Sequence, residues 1–266
     1  MAGTLALATK ADVRVTLVTA TLGEQGEVIG DELQGLVADR ADQLGGYRLT
    51  ELRAACAALG ITDHRLLGGI GGFRDSGMIG TPSADHPRAF VHAAPGGPDH
   101  ERTVAALAAV IEETEPDVLL TYDADGGYGH PDHVAAHQVA LVAAATARWP
   151  IPRVLAVVRP ATATLAAFAA FAAPDGHLRA GAGDVGFLAD DDVVVAAVPV
   201  AGVTHARERA LAAHATQVEL LPGGFALSNR IAQPLPDREY YRLLSGAPPP
   251  STADGSPASD VFAGLP

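Results

Sequence analysis

At 266 residues the chain can bury a full core, and its formal charge of -13 with a pI near 5.0 leaves no basic face for phosphate backbones, which excludes a nucleic-acid partner. Cys56 is the only cysteine, so no intrachain disulfide can form, which fits a reducing compartment. No apolar run reaches the roughly 20 residues of a membrane span, and the start lacks the basic region of a signal peptide, so a cytoplasmic protein without a membrane partner is expected.

Ala2 to Ala11 reads as a short helix and Val13 to Ala20 as a strand rich in β-branched residues. The helix of a βαβ unit is a crossover with a strand on either side. A chain opening on helix and strand therefore predicts a further strand ahead of Met1. The following stretch, residues 21–31, alternates glycines with acids at a strand's carboxyl end. Its spacing does not match G-x-G-x-x-G, which argues against a dinucleotide site. Its acids, Glu24 among them, suit a solvated loop as well as a substrate contact. Leu33 to Leu44 and Leu49 to Leu59 show helical spacing, with Gly45-Gly46 between them and Gly60 as a stop. Arg65 to Leu67 is a short strand, and a second glycine-rich loop, residues 68–78, leaves it. Residues 81–99 carry Pro and His without periodicity and read as a mobile surface loop.

Thr103 to Glu115 is an amphipathic helix leading into Asp117 to Thr121, a buried strand. The stretch from Tyr122 to His133, Tyr-Asp-Ala-Asp-Gly-Gly-Tyr-Gly-His-Pro-Asp-His, then joins that strand to an alanine-rich helix, Val134 to Ala147, with Pro131 at the favoured first position. Ligands of open α/β sheets sit at such junctions, where strand ends and helix amino termini converge. Three of the ten histidines, His130, His133 and His137, fall within eight residues here. His130 and His133, three apart, share one face, so His133 can aim a nitrogen at a metal while His130 faces the same space. Asp132 lies where the helix dipole favours a carboxylate. The glutamate of H-E-x-x-H is absent, Val134 standing in its place, and His137 reads as structural.

Beyond the site, Val154 to Val158 and Val193 to Pro199 are strand-like and Val203 to Leu221 helical, while residues 162–191 carry little chemistry. A helix is expected around Asp237 to Leu244. The Pro-, Ser- and Gly-rich residues 247–266 read as a flexible tail outside a domain of residues 1–246. The expected fold is α/β, a Rossmann-like and mostly parallel sheet flanked by helices, with three glycine-rich loops on one rim.

Three stretches, residues 19–31, Gly69 to Gly80 with its Phe-Arg-Asp-Ser-Gly-Met core, and Asp123 to His133, together resemble the LmbE-like (PIG-L) zinc deacetylases. Residues 41–48 and 212–217, the latter Ala-Ala-His-Ala-Thr-Gln, match the family as well. The resemblance implies a Zn2+-dependent hydrolysis of the N-acetyl group of N-acetylglucosaminyl-inositol, a step of mycothiol biosynthesis, on a small-molecule glycoside. Cleavage of a mycothiol-conjugate amide is the alternative. It also implies the roles of single residues. His133 matches a zinc ligand, His130 the histidine that protonates the leaving amine, Tyr128 the residue that polarises the amide carbonyl, and Asp132 a supporting carboxylate. Arg48, Asp75 and Glu24 match the substrate-binding side. The family opens with a strand ending in A-H-P-D-D-E, which supplies two zinc ligands and the general base. The sequence does not contain this motif, and its similarity begins just after it. The expectation is a start codon set too far downstream or a deletion that leaves a non-catalytic sugar- or partner-binding remnant.

Overall fold

In the computed structural model, which describes residues 1–181 and 184–266, helix α1 (Ala2–Lys10) leads to strand β1 (Thr16–Thr19), then helix α2 (Leu44–Leu59) to strand β2 (Asp63–Leu66). β1 and β2 pair in parallel, Thr16 opposite Asp63. Helix α3 (His100–Thr114), strand β3 (Val118–Thr121), helix α4 (Pro131–Thr146) and strand β4 (Arg153–Val158) follow, and β3 pairs with β4 in parallel. The chain continues through helix α5 (Ala161–Ala170), strands β5 (Leu178–Arg179) and β6 (Val194–Pro199) and helix α6 (Thr204–Ala213). Strands β7 (Glu219–Leu221), β8 (Gly224–Ala226), β9 (Ile231–Pro234) and β10 (Arg238–Gly246) complete it.

The α/β class holds, with helices flanking sheets, but the pairing is mixed and not mostly parallel. β10 runs antiparallel to both neighbours in the order β3-β4-β10-β6. A separate small sheet, β5-β9-β8-β7, is antiparallel apart from β5–β9. Among the described residues β1 and β3 each keep one edge without a ladder partner.

Two apolar clusters hold the layers. One joins α3 and α4 to β1 and β3 through Phe73, Phe90, Ile111, Ala135 and Val139, with Val18 and Leu119 packed against it. Phe73 meets Phe90 edge-on at 5.1 Å between ring centroids. Truncating either ring would cost about 3–5 kcal/mol. The other gathers Ala6, Leu155, Val198, Val203 and Tyr241 around the four-stranded sheet. At its margin Glu239, buried on β10, caps α1: its carboxylate accepts from the backbone N–H groups of Gly3 and Thr4 and from Thr4 Oγ1, each at 2.8 Å. The first orphan donors of the helix are thereby satisfied by a distant strand.

Several expectations are corrected. Gly45-Gly46 does not separate two helices, because α2 runs through both from Leu44, and residues 33–43 form a single 3-10 turn, Gln34–Leu36, among bends. A Cβ at Gly45 would lie 2.7 Å from Glu24 Cγ. The glycine therefore serves a close approach between the helix and the loop after β1, not a turn. Residues 81–99 are packed, not mobile. Two 3-10 turns bury Ala89, Phe90 and Ala93, and the backbone of Arg74 donates to Arg88 O and accepts from Phe90 N–H, tying the segment down. Asp237 to Leu244 is not a helix, since β10 fills the centre of its sheet with the β-favouring Tyr240 and Tyr241. The helix expected over 203–221 stops at Ala213, leaving 219–221 to β7. The flexible tail is also overturned. Ala258 and Val261 are 2% exposed within the second cluster, Ala258 exchanges backbone hydrogen bonds with β6, and Arg153 donates to the carbonyls of Ala247 and Val261.

Candidate active site

The three glycine-rich loops do converge on one rim. The loop after β1 brings Glu24, whose Oε2 accepts from the N–H of Leu22 and of Asp75 at 3.2 and 3.1 Å. The loop after β2 brings Asp75, whose Oδ2 accepts from Gln25 N–H at 3.2 Å and whose Oδ1 accepts from Gly77 N–H at 2.8 Å. The turn after β3 brings Tyr128, His130, Asp132 and His133, the last two on the first turn of α4. His130 Nε2 lies 3.7 Å from Asp75 Oδ1, and Asp132 Oδ2 accepts from Ser76 N–H at 3.1 Å, tying the second and third loops together.

Local sequence dictates each placement. His130 is the N-cap of α4 with Pro131 behind it at the first position, and its Nδ1 accepts from Asp132 N–H at 3.2 Å. That bond leaves the ring's proton on Nε2, facing Asp75. Burial lowers the His130 pKa, opposed by Asp75, so the ring is neutral at pH 7. His133 Nδ1 bonds Gly126 O at 2.9 Å, which puts a proton on Nδ1 and leaves the Nε2 lone pair free. Burial above all pushes its pKa down to about 4. Gly126 has φ +67, and a Cβ there would lie 2.7 Å from His133 Cβ, so only glycine allows this contact. Tyr122 stacks on the His133 ring at 4.1 Å and 14°, and Tyr128 meets it edge-on at 4.9 Å.

Asp132 is 5% exposed and its Oδ1 has no partner among the described residues. Burial raises its pKa to about 7, against the hydrogen bond from Ser76, with Asp75 and Glu24 adding repulsion. Tyr128 is half-exposed, and desolvation together with Tyr122, Asp75 and Asp132 pushes its phenol up to about 12. It is a hydroxyl donor throughout the physiological range.

Arg48 stands behind the loop of Glu24, where burial lowers its pKa against the charges of Glu51, Asp75 and Glu24. It is buried, and its nitrogens donate to Gly23 O, Glu27 O and Thr216 Oγ1 at 2.5, 2.7 and 3.3 Å. Glu51 accepts from both the N–H and the hydroxyl of Thr216, so the Ala-Thr-Gln stretch props Arg48 and Arg48 props the loop carrying Glu24. His137 bonds Tyr122 O at 2.8 Å and is structural, as its sequence position suggested. Tyr122 and Ser76 escaped sequence reading. Only the strand-end position of Tyr122 could have flagged it, and Ser76 acts through its backbone.

His133 is presented as a metal ligand would be, one nitrogen fixed by a carbonyl and the other free. A catalytic zinc takes three protein ligands and keeps a fourth position open. Among the described residues no group of three His, Cys, Asp or Glu side chains could hold a metal ion. The residues described thus supply one ligand and do not by themselves make a zinc centre.

A neutral histidine with its proton aimed into a crevice, a phenol donor and flanking carboxylates, all at the carboxyl ends of α/β strands, define a hydrolase-type site for a polar substrate. The chain belongs to the PIG-L family, GlcNAc-PI de-N-acetylase, whose model matches residues 1–144. It is 66% identical over 266 residues to the 1D-myo-inositol 2-acetamido-2-deoxy-alpha-D-glucopyranoside deacetylase of Nakamurella multipartita, covering 100% of this chain and 91% of that protein. It is 47% identical to the deacetylase of the same description from Acidothermus cellulolyticus, over 95% of this chain and 86% of that one. The crystal structure of GalB, the 4-carboxy-2-hydroxymuconate hydratase of Pseudomonas putida, shares the fold, with a TM-score of 0.53 at 15% identity over 95% of this chain and 92% of that chain.

Proposed function

We propose that the chain is an amide hydrolase that removes the N-acetyl group of N-acetylglucosaminyl-inositol, the step its relatives are named for. The observation that carries the reading is the pairing of His130 and Tyr128 on one rim, their ring centroids 5.7 Å apart. Amide cleavage needs a donor for the carbonyl oxygen as it gains charge and an acid for the departing nitrogen. Tyr128, protonated well beyond pH 7, is the oxyanion donor, and His130, neutral at rest, is the acid for the departing nitrogen once it has taken up a proton, the imidazolium being favoured by Asp75 beside Nε2. Asp132, buried beside both histidines, supports the site, and Glu24 and Asp75 face the sugar hydroxyls. Arg48 acts behind them by holding the loop of Glu24.

These groups supply the acid half of the reaction. Bound zinc would polarise the carbonyl and lower the pKa of a water, and His133 is the residue of this chain suited to hold it. One ligand does not by itself fix a catalytic zinc. The acidic chain and the neutral polyol fit each other without a cationic subsite. A cytoplasmic setting is part of the proposal, supported by the single cysteine and by the absence, among the described residues, of a helix long and apolar enough to cross a membrane.

The test is amine release from N-acetylglucosaminyl-inositol and from a mycothiol S-conjugate, in parallel, with zinc supplied. Preference for the glycoside, with a loss of about 10²- to 10³-fold in kcat on Tyr128→Phe and little change in KM, is expected. Preference for the conjugate would overturn the substrate choice. An activity untouched by Tyr128→Phe and His130→Ala would overturn the residue roles.

A further inference from the structure

We propose that Arg159 is a positioning residue for the deacetylation, fixing the peptide that carries Tyr128 and fastening it to the segment around Gly186. This rests on the role given to Tyr128 above. Arg159 follows β4 directly, and its Nη2 donates to two carbonyls, Gly127 O at 3.2 Å and Gly186 O at 2.7 Å. The carbonyl of Gly127 and the nitrogen of Tyr128 belong to one planar peptide group. A donor fixed on that oxygen therefore fixes the plane from which the Tyr128 side chain departs.

The turn needs such a hold. Gly126, Gly127 and Gly129 have φ of +67, +80 and +79, so Tyr128 is flanked on both sides by residues with the widest backbone freedom. Its internal ties, Gly126 N–H to Asp123 O, Gly127 N–H to Asp125 Oδ1 and Gly129 N–H to Asp125 O, leave the Gly127 carbonyl to an outside donor. On the other side of Tyr128, the ring of Phe187 lies against Gly129, its Cζ 3.2 Å from where a Cβ would stand. Phe187 itself holds φ 55, a costly conformation for a bulky side chain, and the neighbouring Gly186 carbonyl is one of the two that Arg159 engages. The turn is thus clamped between a guanidinium and an aromatic ring. Among the described residues no carboxylate lies within ion-pair distance of Arg159, whose pKa burial lowers and Asp125 alone raises. A half-buried cation held by carbonyls serves geometry, and a lysine, with a point charge in place of a planar fork, would reproduce the bridge poorly.

The test uses the full chain labelled with 3-fluorotyrosine, the Tyr128 resonance being assigned by its loss in Tyr128→Phe. In Arg159→Ala that resonance is expected to move or broaden while those of Tyr47 and Tyr241 stay in place, with Arg159→Lys intermediate. In the amine-release assay Arg159→Ala should lower kcat about 10- to 100-fold with KM little changed. In the Tyr128→Phe background it should cost almost nothing further. A Tyr128 resonance unmoved in both Arg159 variants, or an equal loss of kcat with and without the Tyr128 hydroxyl, overturns the proposal. If the wild-type chain releases no amine, the deacetylase reading falls, and the resonance still decides whether Arg159 holds Tyr128. Should Arg159→Ala fail to fold, Arg159→Lys carries both readouts.

Discussion

Replacing Glu239 by glutamine tests whether one buried carboxylate fastens α1 to the main sheet. Glu239 is 7% exposed, and burial alone would raise its pKa. In a polypeptide of residues 1–266, the ammonium of Met1, 3.3 Å away, and the bonds from Thr4 and Gly3 outweigh burial and bring the pKa from 4.5 to about 2. A folded-state value below the unfolded one means that the stabilisation is complete above pH 4.5 and disappears as pH falls toward 2. At about 1.36 kcal/mol per unit, the shift corresponds to about 3 kcal/mol at neutral pH and about half of that at pH 3. Glutamine keeps the shape and one acceptor but loses the charge, and it leaves the Arg207 guanidinium, 4.0 Å away, without its counter-ion. Urea unfolding followed by circular dichroism, on wild type and Glu239→Gln at pH 7, 5 and 3, should show a gap of about 3 kcal/mol that narrows only below pH 4.5. A gap of the same size at pH 3 and pH 7 would refute the reasoning, because the effect would then be packing and not charge.

Three further outcomes are expected. Removing residues 248–266 takes the Val261 carbonyl from the 1%-exposed Arg153 and opens the core at Ala258, so the truncated chain should lose about 3–5 kcal/mol or fail to fold; an unchanged thermal midpoint would restore the flexible tail. In an NMR titration the ring of His133 should show a midpoint near 4 and not 6.5, so that this histidine adds to stability fully above pH 6.5 and loses that contribution as pH falls to 4; a midpoint between 6 and 7 would contradict its burial. Residues 1–266 dialysed against zinc should retain far less than one tightly held ion per chain, since among the described residues no group of three His, Cys, Asp or Glu side chains could hold it. One firm zinc with rapid turnover would show that Asp123, Asp125 or His137 completes the centre.

The sequence by itself determined the class and the stretches from which the candidate site is drawn. Glycine-rich loops after short β-branched strands, and Tyr-Gly-His-Pro-Asp-His opening a helix, are local signals. Proline fixes the helix start, glycine marks positive φ, and both act within a few residues of chain. What it could not determine depends on partners distant in sequence. Gly45-Gly46 looks like a break until the side chain of Glu24 occupies the space a Cβ would need. Asp237 to Leu244, expected to be a helix, becomes a strand because β4 and β6 offer ladders on both sides. Residues 247–266 read as disordered by composition, and are ordered by a buried arginine and a sheet they reach across more than ninety residues. Arg159 carries no local signature, and its role, like the way Arg48 holds the loop of Glu24, follows from carbonyls that only the tertiary fold brings within reach.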